Sequence, residues 1–491
     1  MPSTFHVEHF GCRAARADGE AVSDRLRAAG LSERQPSAAD VVVVNTCSVT
    51  AEADRAARAF IRRAHRVNPA ARIVVTGCYA QRAPEEVAGI SGVAAVVGNS
   101  HKALTPAIAL GLADLVSVQS LLAGGNVPDQ APIWADDRFA HSFLEGAQLL
   151  PGAQTRPNLK IQEGCGNRCT FCVIPQTRGL SRSLAAAAVL KQVEGFVAAG
   201  GNELVISGIN LGQWGRDLAR NPDGMDIEDS WFPILSAERR GKDGAPVIHR
   251  TPGAGKPSLT GLVRQILEQT GLPRLRLSSI EPMDWNEELI GLMAEFGGAR
   301  LARHAHLPLQ SGSDAVLRRM HRRYRPWHYS EKVAALRRAG GPELTLGADV
   351  MVGFPGETES EFTETVEMVR ALPFGYLHLF PFSPRPGTRA WALHSEQPVE
   401  AAVVEERMAV MRTLATEKSE THRRWFVGRE LEAITLRTPD DLAERRCSAA
   451  LTENFLPVEL QSKLPANRLV RIQVTGLTSE GTLVAAASNP V

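Results

Sequence analysis

Three cysteines, Cys165, Cys169 and Cys172, stand at a C-x3-C-x2-C spacing. Thiolates this close can grip one metal centre from a single loop. Structural zinc takes four protein ligands, and its usual cysteine spacings come in pairs, so a zinc knuckle here needs a fourth ligand from elsewhere. An iron–sulfur cube has four irons to ligate. Three thiolates leave one of them open, and an open position is a place for substrate or cofactor. A second set, Cys12, Cys47 and Cys78, is spread over the first eighty residues, and Cys447 is left over.

The elements around these residues follow from the pattern. Asn158 to Gln162 reads as a strand running into the cysteine loop, and an Ala-rich helix starts near Ala185. Strand, metal loop and helix form one β/α unit. In the N-terminal part, Phe5 to Phe10 alternates as a strand does. Asp40 to Val44 is an apolar run expected of a strand buried on both faces, and Arg72 to Thr76 is a third strand. Cys12, Cys47 and Cys78 each lie just past the C-terminal end of one of these strands, the edge where open parallel sheets bind ligands. Three unrelated buried cysteines are the alternative, since free cysteine is a common core residue, but the repeated strand-end placement argues for a second three-thiolate site.

The loop resembles the signature of the radical SAM superfamily, in which an aromatic, here Phe171, commonly precedes the last cysteine. The strings Gly11-Cys12-Arg13, Asn45-Thr46-Cys47-Ser48-Val49-Thr50 and Thr76-Gly77-Cys78-Tyr79-Ala80 resemble the N-terminal module of the methylthiotransferases within it. That family often has Asn three residues after the first cysteine; this chain has Ala15. The resemblance implies two [4Fe–4S] clusters, one on Cys12, Cys47 and Cys78 and one on Cys165, Cys169 and Cys172. The second would bind S-adenosylmethionine at its free iron and, given an electron, split it to a radical that abstracts hydrogen from an unactivated C–H bond. The first would present the methylated sulfur. An external flavodoxin- or ferredoxin-like donor is implied as well. By the same resemblance Phe171, Gly208, Asn210, Ser278, Glu281, Gln310 and Asp349 are the expected cofactor contacts. Beyond the clusters no catalytic residue is assigned.

Three substrates divide the family: threonylcarbamoyladenosine in tRNA, isopentenyladenosine in tRNA, and an aspartate of a ribosomal protein. The strings 159–165, 306–313 and 380–388 look most like the threonylcarbamoyladenosine enzymes, which implies methylthiolation at C2 of that base at tRNA position 37. An iron–sulfur RNA-binding protein or a two-cluster electron carrier is the non-enzyme alternative.

The expected architecture is α/β. An open α/β domain (2–110) is followed by a linker (111–154) with a Gly- and Pro-containing stretch at 124–128. A six-stranded partial (β/α) barrel (155–392) carries an insertion at about 218–257. A helical connector (393–427) leads to a small all-β barrel (428–491) that resembles the RNA-binding TRAM domain. At 491 residues the chain is too long for one ordinary core. Its net charge of +1 does not advertise a nucleic-acid partner, so any RNA site must come from local clustering. Arg55, Arg58, Arg62 and Arg66 recur at helical spacing, and Arg318, Arg319, Arg322, Arg323 and Arg325 crowd a helix end. No apolar run reaches the ~20 residues of a membrane span, and the start lacks a secretion signal. A cytoplasmic, reducing location is expected, with cysteines serving metal rather than disulfides.

Overall fold

The computed structural model describes residues 2–111, 131–139, 155–218 and 256–490. Most of the expected linker and nearly all of the expected insertion lie outside them.

The N-terminal sheet is wholly parallel. It comprises β1 (Thr4–His9), β2 (Ser32–Glu33), β3 (Val41–Thr46), β4 (Arg72–Gly77), β5 (Val93–Gly98) and β6 (Ile133–Trp134), in the order β2-β1-β3-β4-β5-β6. Every residue of β3 is buried. Successive side chains of a strand point to opposite faces, and the two faces here have separate cores. Val42 and Val44 pack with Phe60 and Ile61 of the helix Ala51–Val67. Val41 and Val43 pack with Val22 and Leu26 of the helix Arg13–Ala28. The Ala51–Val67 helix starts where Thr50 accepts a hydrogen bond from the Ala53 amide, with Glu52 and Asp54 in its first turn, as capping and the helix dipole favour. β2, β5 and β6 are additional to the three strands expected from the sequence.

The central region has six parallel strands: β7 (Asn158–Glu163), β9 (Glu203–Gly208), β10 (Arg274–Leu277), β11 (His304–His306), β12 (Thr345–Val352) and β13 (Phe374–Pro381). The short β8 (Arg182–Ser183) is antiparallel to β7. The ladders run β10-β9-β7-β8 and β11-β12-β13. The Leu275–Leu301 bridge and the Ile280 amide, which donates to the His306 carbonyl at 3.1 Å, join the two ladders. Among the described residues no pairing joins β7 to β13, so the barrel is partial. Helices between the strands close one continuous apolar core around it.

The helix Ala401–Arg424 packs on β13 and leads to a closed five-stranded barrel. Its strands are β14 (Glu430–Thr435), β15 (Ser448–Thr452), β16 (Pro457–Leu460), β17 (Leu469–Leu477) and β18 (Leu483–Pro490). β18 was not expected, because its Ala-rich sequence carries little strand propensity. This barrel docks on the N-terminal ends of the central strands. Arg276 donates to the Thr452 carbonyl at 3.2 Å, Arg303 pairs with Glu453 at 2.7 Å, and Asn454 donates to the Glu343 carbonyl at 2.9 Å. Arg274 reaches Glu432. No described helix is long and apolar enough to cross a membrane.

Candidate active site: two cysteine sets facing one cavity

The local backbone explains why glycine precedes Cys12 and Cys78. Gly11 has φ +108°, and a Cβ there would lie 2.5 Å from Cys47 Cβ and 2.7 Å from its Sγ. Gly77 has φ +99°, and a Cβ would run into the Thr46 carbonyl. Only glycine lets these loops close on each other. Cys12 caps the helix Arg13–Ala28, and Cys78 opens the helix Cys78–Arg82. The central loop is pinned separately. The Cys165 amide donates to the Gly179 carbonyl at 3.0 Å, and Thr170 is bonded to the Met320, Arg319 and Ala390 backbones at 2.9 to 3.1 Å.

A cavity of about 370 Å³ lies between the two sets. Cys78 and the 48–50 turn form part of one wall; Phe171 and Cys172 form part of another. Of the expected contacts, Phe171, Asn210, Glu281, Gln310 and Asp349 line it. Gly208 and Ser278 are not among its lining residues, and Ser279 lines it beside Ser278. Gly208 instead packs against the Gln162 side chain at the end of β9.

Each cysteine set is met by preformed donors. Asn99 Nδ2 lies 3.3 Å and Arg178 Nε 3.2 Å from Cys78 Sγ. Asn210 Nδ2 lies 3.4 Å from Cys165 Sγ, and Arg322 Nη1 lies 3.3 Å from Cys169 Sγ. Burial, with the neighbouring Cys78 and Cys12, pushes the Cys47 thiol up to about 12, and burial pushes Cys172 up to about 12. Such thiols do not ionise by themselves near neutrality; a bound cationic centre is what would hold them as thiolates. N–H donors aimed at sulfur beside crowded buried thiols suit iron–sulfur chemistry, in which hydrogen bonds to sulfur tune the centre. Arg322 also pairs with Glu281 at 2.5 Å, tying a cavity wall to the cysteine loop.

A second polar group crosses the barrel mouth. His306 Nε2 and His378 Nδ1 each lie 3.1 Å from Asp349 Oδ1. Tyr376 Oη lies 2.9 Å from His306 Nδ1 and 2.8 Å from His304 Nε2. Burial would raise the Asp349 pKa, but its two histidine hydrogen bonds outweigh that and hold it well below the ordinary carboxylate value. The His378 side chain is 60% exposed.

Two expectations about basic surfaces fare differently. Arg55, Arg62 and Arg66 are exposed along their helix, while Arg58 pairs with Glu86 at 3.2 Å. The 318–325 cluster is not one exposed stripe. Arg322 is buried at the cysteines, Arg319 pairs with Glu361 at 2.7 Å, and Arg325 pairs with Asp314 at 3.1 Å. Crowding in sequence marked a helix end but not which arginines turn inward.

Residues 4–98 match the family described as uncharacterized protein family UPF0004, and residues 159–369 match the radical SAM superfamily. The threonylcarbamoyladenosine tRNA methylthiotransferase MtaB of Bacillus subtilis (strain 168) is 33% identical, with 92% of this chain and 89% of the relative covered. The chain belongs to the radical SAM methylthiotransferase family. The MtaB of Aquifex aeolicus (strain VF5) is 31% identical to this methylthiotransferase, over 95% of this chain and 99% of the relative. The tRNA-2-methylthio-N(6)-dimethylallyladenosine synthase of Parafrankia sp. (strain EAN1pec) is 30% identical over 98% and 85%. A solved radical S-adenosylmethionine methyltransferase, TsrM from Kitasatospora setae with cobalamin and a [4Fe–4S] cluster bound, aligns with TM-score 0.51 at 13% identity. It covers 81% of this chain and 78% of that one, which establishes a shared fold. The methylthiotransferase is therefore a transferase that works with S-adenosylmethionine and iron–sulfur chemistry.

Sequence reasoning assigned no role at the site to Asn99, Arg178, Arg322, His306 or His378. Arg178 offered one faint signal: it stands six residues after Cys172 without an acidic neighbour at helical pairing distance.

Proposed function

We infer that this methylthiotransferase adds a methylthio group to C2 of threonylcarbamoyladenosine at position 37 of tRNA. The observation that carries the reading is one cavity lined by a cysteine of each set, Cys78 and Cys172. Similarity to MtaB proteins over nearly the whole chain supports the choice of base. Cys165, Cys169 and Cys172 would hold the cluster that binds S-adenosylmethionine; Cys12, Cys47 and Cys78 would hold the other. When bound, these groups supply the electron that splits S-adenosylmethionine and the sulfur that is transferred. The chain itself orients and excludes water. Asn210, Glu281 and Gln310 offer polar contacts to cofactor, while Phe171, Phe380 and Phe382 make the wall apolar. His378, anchored by Asp349 at the open side of the barrel, is suited to the polar threonylcarbamoyl arm. RNA outside the base would meet the exposed Arg55, Arg62 and Arg66 and the C-terminal barrel, which resembles a TRAM domain. Reducing equivalents would come from a flavodoxin- or ferredoxin-like donor in the cytoplasm.

The test is mass spectrometry of tRNA nucleosides from cells with and without the gene. Loss of 2-methylthio-threonylcarbamoyladenosine, with its precursor accumulating, is expected. The Parafrankia relative favours the dimethylallyladenosine substrate as a second reading, and loss of that methylthio nucleoside instead would select it. No change in either nucleoside overturns both.

A further inference from the structure

Five charged side chains are buried together where the N-terminal domain meets the barrel. Asp18 and Lys102 come from the first; Lys160, Glu163 and Arg178 come from the second. Lys102 lies 2.6 Å from Asp18 and 3.3 Å from Glu163. Lys160 lies 2.6 Å from Glu163 and also contacts Asp18. Arg178 Nη1 lies 3.1 Å from Asp18 and 2.7 Å from Glu163. Among the described residues the two lysines formally cancel the two carboxylates, so Arg178 carries the surplus charge. Buried charges persist when they are paired, so a surplus cation asks for a further anion. The other edge of the guanidinium faces that anion's place: Nε donates to Cys78 Sγ at 3.2 Å. Arg178 Nη2 is buried and has no hydrogen-bond partner among the described residues.

We propose that Arg178, supplied by the barrel, is a positioning residue for the metal centre of the N-terminal domain. Its Nε–H holds Cys78, its Nη2 is available to a sulfur of that centre, and its surplus charge makes the centre easier to reduce. The N-terminal site is then electrostatically incomplete without the barrel. This rests on the reading that Cys12, Cys47 and Cys78 hold an iron–sulfur cluster. Net charge and hydrogen bonds to sulfur are what set such potentials.

The test uses the full chain carrying Cys165→Ala, Cys169→Ala and Cys172→Ala, reconstituted so that only the N-terminal centre remains. Its midpoint potential is read by electron paramagnetic resonance in a redox titration. Arg178→Met should make reduction at least about tenfold less favourable, a shift of about 59 mV to the negative for a one-electron couple. Asp18→Asn, which removes a negative charge from the same network without touching sulfur, should shift the midpoint to the positive. Arg178→Lys, which keeps the charge but not the fork, should fall between wild type and Arg178→Met. A midpoint unmoved by Arg178→Met, with iron content or thermal stability alone reduced, would mean a purely structural residue and overturn the proposal. If Arg178→Met holds no iron, the Asp18→Asn midpoint decides: unmoved or negative overturns it. A parent protein that binds no iron overturns the cysteine assignment itself, a distinguishable failure.

Discussion

Glu203 opens β9 and is fully buried among three arginines, Arg276 at 2.8 Å, Arg156 at 3.3 Å and Arg274 at 3.4 Å. Burial by itself would raise its pKa. The arginines outweigh burial and hold it at about 2, down from 4.5. At about 1.4 kcal/mol per unit, the difference corresponds to about 3 kcal/mol of stability from this one carboxylate. Because the folded value is depressed, that stability is present above the unfolded pKa of 4.5 and disappears as pH falls through 4.5 toward about 2. Glu203→Gln should therefore lower stability by about 3 kcal/mol at pH 7, since it takes the paired carboxylate from the buried Arg276. The gap to wild type should narrow below pH 4.5 and nearly close by about pH 2. Urea unfolding of both proteins, side by side across that range, reads the difference. Arg274 and Arg276 also hold the C-terminal barrel, so limited proteolysis of the variant should cut first between the barrels. A gap that stays constant with pH would refute the reasoning, because it would mean the carboxylate's charge is not what the arginines use.

Gly77→Ala, which strains φ +99° and meets the Thr46 carbonyl, should cost at least about 1 kcal/mol and lower the iron content of the purified protein; iron per chain equal to wild type would contradict it. Arg322→Met should slow formation of 5′-deoxyadenosine, followed chromatographically, by about tenfold or more, since it frees both Cys169 and Glu281. His378→Ala should lower kcat/KM on tRNA by about fivefold, the value of one hydrogen bond of about 1 kcal/mol, without altering uncoupled cleavage of S-adenosylmethionine. Replacing Arg55, Arg62 and Arg66 by Ala should weaken tRNA binding and flatten its dependence on log salt concentration by up to about 0.9 for each phosphate no longer neutralised. A gel-shift titration at several salt concentrations checks it.

The place of Cys12, Cys47 and Cys78 past the strand ends was legible because strand-end placement is a local property of the chain. β3 was legible for the same reason: four consecutive β-branched valines suit a strand covered on both faces. The six central strands could likewise be read from alternating apolar segments and polar ends. Arg178 and Cys78 are a hundred positions apart, and Asp18 and Lys160 further still. No periodicity links them, so the five-charge network appears only once the domains are docked. Arg322 shows the limit from the other side. Its sequence neighbours His321 and Arg323 are exposed, yet it turns inward, where Glu281 and Cys169 meet it. The Ala-rich strands β15 and β18 escaped because alanine and serine fill a tight barrel without announcing a strand.

The C-terminal barrel sits at the start of the central strands, while the cavity sits at their far end. Asp349, which lines the cavity, stands four residues past the start of β12, roughly 13 Å at ~3.3 Å per residue. For an RNA held at both places the fold would thereby act as a length gauge. A free nucleoside could fill the cavity yet never touch the C-terminal barrel, whereas a folded RNA gripped at both places has to run the height of the open side. Discrimination between a base alone and the same base within a structured RNA would then reside in that span, before any atom of the base is read.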